Sequence, residues 1–289
     1  MLFGVLPAYP AGVAADPGWM IGFARHAEAV GFESVYVPEH VVVPVDYERR
    51  YPYSPDGTIP LEETCPFPDP LDTLAFLAAA TERIVLATGV LLLPAHHPVM
   101  LAKRAATIDA LSGGRLRLGI GVGWMREELD VLDVDFATRG ARVDEMIPAM
   151  RALWTQDEPT FDGRFFSFEG ARCLPRPVQV GGVPIHVGGH SRAAARRAGR
   201  LGDGFQPLGV EGHELAELLG IMRATATECG REPDTIEVTL LGAVGLTTAD
   251  DVAKAEELGA TRLLLGTWDG DLDHLRTELS RTAEALIHR

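Results

Sequence analysis

Lysine is nearly missing from this chain: Lys103 and Lys254 are the only two among 289 residues, and both fall in helical patterns. A phosphate-binding barrel lyase or isomerase working through a Schiff base needs a lysine at a strand end, so that chemistry is disfavoured. Cysteine is scarce too. Cys65, Cys173 and Cys229 stand far apart and never form Cys-x-x-Cys, which points to a reducing compartment and away from a zinc knuckle. His96 and His97 are adjacent, face different ways and have no carboxylate at ligand spacing, so no metal site is expected. No apolar run reaches the ~18 residues of a membrane helix, and the N-terminus lacks the basic region of a signal peptide. A cytoplasmic protein is expected. Positive charge is in deficit: 26 Lys and Arg against 41 Asp and Glu leave a formal −15, which argues against a nucleic-acid or anionic-membrane partner. The Gly-x-Ser-x-Gly elbow, the Walker loop and His-Glu-x-x-His are all missing.

What remains is a regular alternation. Strand-like runs occupy residues 3–6, 34–38, 84–92, 115–121, 184–187, 204–206, 236–244 and 262–265. Helical patterns follow them: one opened by Asp16-Pro17 and closed near Gly31, then 75–80, 97–111, 142–154, 192–201, 211–228, 249–258 and 272–287. Strands each followed by a helix predict a parallel sheet, and eight of them predict closure into a (β/α)8 TIM barrel, with an open doubly wound sheet as the alternative. No linker divides the chain, so residues 1–289 are read as a single domain. Two insertions break the repeat. Residues 41–68, after strand two, carry many prolines with Tyr47, Tyr51, Tyr53 and Phe67, and predict a lid or substrate wall. Residues 155–183 carry four phenylalanines around Asp162-Gly163 and predict a hairpin between strands four and five.

In a parallel barrel the C-terminal strand ends face the active site. Here they are Pro7, Glu39-His40, Thr88-Gly89-Val90, Gly121-Val122-Gly123-Trp124, Gly188-Gly189-His190-Ser191 and Gln206. A strand that ends in bare backbone accepts a flat ligand, or is simply a tight strand-to-helix turn. Trp124 stands where a dinucleotide fingerprint requires its third glycine, so that motif is excluded. Residues 188–191 open a helix and suit a phosphate, with Arg192 and Arg196 near for further anionic groups; a plain helix cap and a solvated face explain the same residues. His40 is suited to relaying a proton. Glu127 and Glu128 at the start of a helix complement its dipole. The strand ends are poor in nucleophiles, a profile that fits a protein whose cofactor brings the reactive atoms.

Taken in order, Glu39-His40, the run 83–90, His97-Pro98-Val99, Ala102-Lys103, the run 109–115 and the run 119–124 resemble the luciferase-like monooxygenase superfamily, and most closely its branch that uses the deazaflavin coenzyme F420. The match extends from the first strand to about Gly209 and weakly beyond. The resemblance implies a coenzyme ring at the C-terminal mouth, a non-proline cis peptide at Gly89-Val90, and a phosphate site at Gly188, Gly189, His190 and Ser191, with Arg192 beside it. It implies His40 in proton transfer with Glu39, where relatives more often have aspartate, as its neighbour. Pro7, Thr88, Gly121, Gly123, Trp124 and Glu127 become ring or substrate neighbours. The implied activity is hydride transfer between F420 and a small apolar or cyclic substrate, by a homodimer. FMN with oxygen chemistry on the same fold is the alternative cofactor, and a non-catalytic ligand-binding barrel is the alternative of another class.

Overall fold

The structure, a computed structural model, describes residues 1–52 and 54–288; Tyr53, one of the aromatics expected in the first insertion, lies outside the described residues. In chain order the strands are β1 (Leu2–Leu6), β2 (Ser34–Val37), β3 (Val85–Thr88), β4 (Leu91–Leu92), β5 (Leu116–Gly121), β6 (Phe161–Asp162), β7 (Ser167–Phe168), β8 (Ile185–Gly188), β9 (Gly204–Gln206), β10 (Glu237–Ala243) and β11 (Arg262–Gly266). Eight of them pair in parallel around a ring in the order β1-β2-β3-β5-β8-β9-β10-β11, and β11 returns to β1. The ring is closed, as in a (β/α)8 barrel.

The helices are α1 (Pro17–Ala29), α2 (Pro70–Ala78), α3 (Pro98–Ser112), α4 (Arg126–Val131), α5 (Arg139–Thr155), α6 (Arg192–Leu201), α7 (Gly212–Glu228), α8 (Ala249–Glu257) and α9 (Leu272–Leu286). Asp16 caps α1 by accepting from the Trp19 N–H, with Pro17 at the first helical position. Asp69 and Pro70 repeat that device, so α2 begins at Pro70 rather than near Ala75. The same Asp-Pro signal was in the sequence there and outweighs the later apolar run.

Strand alternation sorts the apolar residues into two clusters. Phe3, Val5, Val35, Leu118, Ile120, Ile185, Val187, Phe205, Leu263 and Leu265 face outward and pack under the helices. Each fully buried side chain of this kind contributes about 1.5–3 kcal/mol. Tyr36, Ala87 and Leu264 form a separate cluster inside the barrel, with Leu6 and Leu208 against it.

Below that cluster the barrel is closed by charge. Arg262, fully buried at the start of β11, donates to both Glu33 oxygens at 2.9 and 3.0 Å and to Glu237 at 2.9 Å. Arg117 donates to Glu33 at 2.6 Å. Burial alone would push the Glu33 carboxyl up, but the guanidinium groups of Arg117 and Arg262 outweigh it and hold the carboxyl at about 2. His186 beside them is driven well down by burial and by the same two arginines.

The first insertion has no helix or strand among its described residues, and the second contains the expected hairpin, β6 paired antiparallel with β7. Glu145 of α5 holds the hairpin turn by accepting from the N–H groups of Arg164, Phe165 and Phe166. Among the described residues no helix is long and apolar enough to cross a membrane.

Candidate functional site at the barrel mouth

Residues 84–92 are not one strand. β3 pairs with β5 so that Ala87 meets Arg117, whereas in β4 Leu91 meets Ile120. The β3–β4 side therefore takes one more residue than β5 to cover the same stretch, which is a bulge, and bulges re-aim side chains next to sites. Its residues are Gly89 and Val90, joined by a cis peptide, where the resemblance placed one. Val90 is turned toward the tips of strands four and five. A Cβ built on Gly121 would lie 2.8 Å from one Val90 methyl, and a Cβ on Gly188 would lie 2.7 Å from the other. A Cβ on Gly119 would meet the Thr88 carbonyl oxygen at 2.1 Å.

Two of the strand-tip glycines, Gly121 and Gly188, thus have a packing partner. They are the seat of Val90, whose half-buried side chain becomes the surface offered to the mouth. Thr88 locks the approach by donating its hydroxyl to the Gly119 carbonyl at 2.7 Å. Gly123 has φ +83°, a conformation that favours glycine, where the chain leaves β5 for α4.

Glu39 and His40 are neighbours with different partners. Glu39 is buried and accepts from the Leu92 N–H at 2.6 Å and from His96 Nε2 at 3.0 Å, while its own N–H donates to the Val90 carbonyl at 3.2 Å. These bonds clasp both ends of the bulge. His40 Nδ1 lies 2.9 Å from Glu128 Oε2, and Glu128 Oε1 accepts from the Val41 N–H at 2.7 Å. An ionised carboxylate only accepts, so Nδ1 carries the proton in this pair and Nε2 is left for other chemistry.

Sequence reasoning singled out Glu127 for the site, but the structure gives the contact with His40 to Glu128. Glu127 instead accepts from the Glu48 N–H at 2.8 Å, tying the first insertion to α4. Its carboxyl is lowered chiefly by that N–H. His96 was also missed, because its partner lies 57 residues away and no local spacing reveals it.

The insertion surrounds this pair with rings. Trp124 has His40, Tyr47 and Tyr51 edge-on, with centroids 6.2, 5.9 and 5.5 Å away. Phe67 lies 5.5 Å from His40 and 4.7 Å from Tyr9, which sits just past Pro7. Burial, with Cys65 adding to it, pushes the Tyr9 phenol well up. Across the mouth, Leu241 is 52% exposed although it shares the inward-facing side of β10 with Thr239. An inward leucine that still meets solvent means the barrel is open above the Tyr36 layer. Trp268, 60% exposed, lies with its ring edge over Gly266, at the end of β11. Neither Leu241 nor Trp268 was expected from the sequence.

The turn at 188–191 sits where predicted. Gly189 has φ +115°, and Ser191 caps α6 by accepting from the Ala194 N–H at 3.1 Å. The earlier N–H groups of a helix lack intrahelical acceptors, so the cap does not use up the donors at this turn. His190 is half-buried beside it. Arg192 turns away to Glu217 of α7 at 3.1 Å.

Residues 2–285 match the family model described as luciferase-like monooxygenase. An uncharacterized protein of Mycobacterium tuberculosis is 34% identical over 269 residues, which cover 91% of this chain and 92% of that one. The F420-dependent glucose-6-phosphate dehydrogenase of Nakamurella multipartita is 30% identical over 232 residues, 78% of this chain and 62% of that enzyme. A solved F420-dependent secondary alcohol dehydrogenase, in complex with an F420-acetone adduct, has TM-score 0.79 and 18% identity over 99% of this chain and 98% of that one; at this identity the likeness is one of fold.

Proposed function

The chain belongs to the luciferase-like monooxygenase family, and from that premise we propose that it is an oxidoreductase moving a hydride between coenzyme F420 and a small, uncharged, apolar or cyclic substrate. The observation that carries this is the His40–Glu128 pair at 2.9 Å, set at an open barrel mouth. The residues present fit a flat ring with a phosphate: the seated Val90 offers an apolar platform, and the turn at 188–191 offers backbone N–H groups at a helix start. When bound, the deazaflavin supplies the carbon that accepts or returns the hydride.

Each protein group then has a task. Glu128 fixes the His40 tautomer, and His40 takes or gives the proton that accompanies oxidation or reduction of the substrate, through Nε2. Glu39 serves as a positioning residue, since its carboxylate is committed to Leu92 and His96. Trp124, Tyr47, Tyr51 and Phe67 on one side and Leu241 and Trp268 on the other exclude water and grip an apolar body. Neither lysine of the chain is free to meet a substrate phosphate: Lys103 on α3 donates to the Leu174 carbonyl, and Lys254 on α8 pairs with Asp251.

Anaerobic mixing of the purified protein with F420 or with FMN tests the assignment, using cyclic alcohols and glucose 6-phosphate as substrates. The expected result is reduction of F420 by a cyclic alcohol, with none by the sugar phosphate. Tight FMN binding with oxygen uptake, and no affinity for F420, contradicts it.

A further inference from the structure

In a chain with a formal charge of −15, arginines ordinarily find carboxylates, and many here do. Four at the rim between strands four and five do not. Among the described residues, Arg126, Arg139, Arg142 and Arg164 have no carboxylate oxygen within ion-pair distance and stack on phenylalanine instead. Phe136 has the Arg126 guanidinium 4.4 Å and the Arg139 guanidinium 3.5 Å from its centroid. Phe165 has Arg142 at 4.8 Å and Arg164 at 4.9 Å.

Three acids of the surrounding elements are committed elsewhere. Asp144 takes Arg197 and Arg200 of α6, Glu145 takes three hairpin N–H groups, and Asp135 takes the Ala137 N–H. Burial lowers the Arg139 guanidinium, and Arg126 and Arg197 lower it further. Stacking on a ring at a partly exposed site contributes only about 0.5–1 kcal/mol and leaves the charge available to a second partner.

Position gives the strip its meaning. Arg139 Nε donates to the Gly123 carbonyl at 3.1 Å, which fixes one end at the tip of strand four. Arg197 of α6 donates to the Gly140 carbonyl at 3.1 Å, which sets the start of α5 beside the helix that opens at 188–191. From there the strip runs outward to the hairpin through Arg142 and Arg164.

We propose that Arg126, Arg139, Arg142 and Arg164 seat an extended polycarboxylate tail continuous with a phosphate at residues 188–191. This rests on the F420 assignment, because the glutamates of that coenzyme supply such a tail and FMN ends at its phosphate. Arg192, expected from the sequence to serve the anionic end, is occupied by Glu217.

The test compares dissociation constants of the full-length protein for F420 and for the tail-less deazaflavin chromophore, across a salt series. Arg126→Gln and Arg164→Gln are the variants of choice because both side chains are exposed, and Arg126→Lys and Arg164→Lys keep the charge while losing the planar stack. Each glutamine variant is expected to weaken F420 binding about 3–5-fold at low salt, as lost rim charges do, and to flatten its salt dependence. Binding of the tail-less chromophore stays constant, and the lysine variants hold most of the affinity. Equal weakening of both ligands, or no weakening of F420, overturns the tail seat. A wild-type protein that binds neither deazaflavin overturns the F420 assignment itself and the seat with it.

Discussion

Replacing His40 by alanine is expected to lower kcat by about 10²–10⁴, the usual contribution of a positioned acid or base, while F420 affinity changes little. The side chain is held by one hydrogen bond to Glu128 and by the edges of Trp124 and Phe67, so its loss removes a proton carrier without removing the Val90 platform. Glu128→Gln provides the control that separates chemistry from structure. Both Glu128 oxygens accept, one from His40 and one from Val41. An amide replaces one acceptor with a donor, so either the histidine tautomer reverses or the Val41 N–H loses its partner. The expected outcome is an intermediate loss of kcat with a displaced pH profile and a smaller change in KM. Steady-state rates across pH, with thermal melts to confirm folding, check both variants. An alanine variant that keeps wild-type turnover removes His40 from the reaction.

Glu33→Gln is expected to cost about 3–5 kcal/mol, because it leaves the buried Arg117 and Arg262 without their shared counter-charge. The pH dependence follows from the same contact. An ordinary glutamate titrates near ~4.3, whereas in the fold Glu33 is held at about 2. The stabilisation is therefore fully present above the ordinary value and is lost as pH falls through the folded one. A shift of this size corresponds to about 3 kcal/mol. Urea unfolding from pH 7 to pH 2 should show wild type losing this increment in the acid range and the glutamine variant lacking it. Equal stability of the two proteins at pH 7, or parallel pH curves, contradicts the role given to this cluster. Neither result bears on the mouth, which lies at the opposite end of the strands.

The barrel was legible in the sequence because strand length, alternation and helix punctuation are local properties. The ends of β9 and α6 fall where the pattern put them, and the hairpin forms beside Asp162-Gly163. The bulge at Gly89 and Val90 was not readable from periodicity, since residues 84–92 carry no charge and no apolar–polar alternation, and only the one-residue change of register against β5 divides them. At Gly121 and Gly188 the structure adds a reason that the sequence did not show, the packing of Val90 against the strand tips.

Glu128 was indistinguishable from Glu127 on a helix start. Only the three-dimensional path of the insertion selects one for His40 and the other for Glu48. Leu241 and Trp268 escaped because an inward leucine is ordinarily core. Its exposure depends on how deeply the Tyr36 layer fills the barrel, which no single strand encodes. The Arg117 and Arg262 pair had a faint signal in arginines placed within apolar strand runs, the pattern of an inward charge that needs a buried partner.

The decisive measurement is a crystal structure of the protein with F420 bound. The deazaflavin ring is expected against the Val90 side chain, with His40 Nε2 facing the reacting side and the phosphate at residues 188–191. A ring bound elsewhere, or one separated from His40 by the width of the mouth, would contradict the site assigned here.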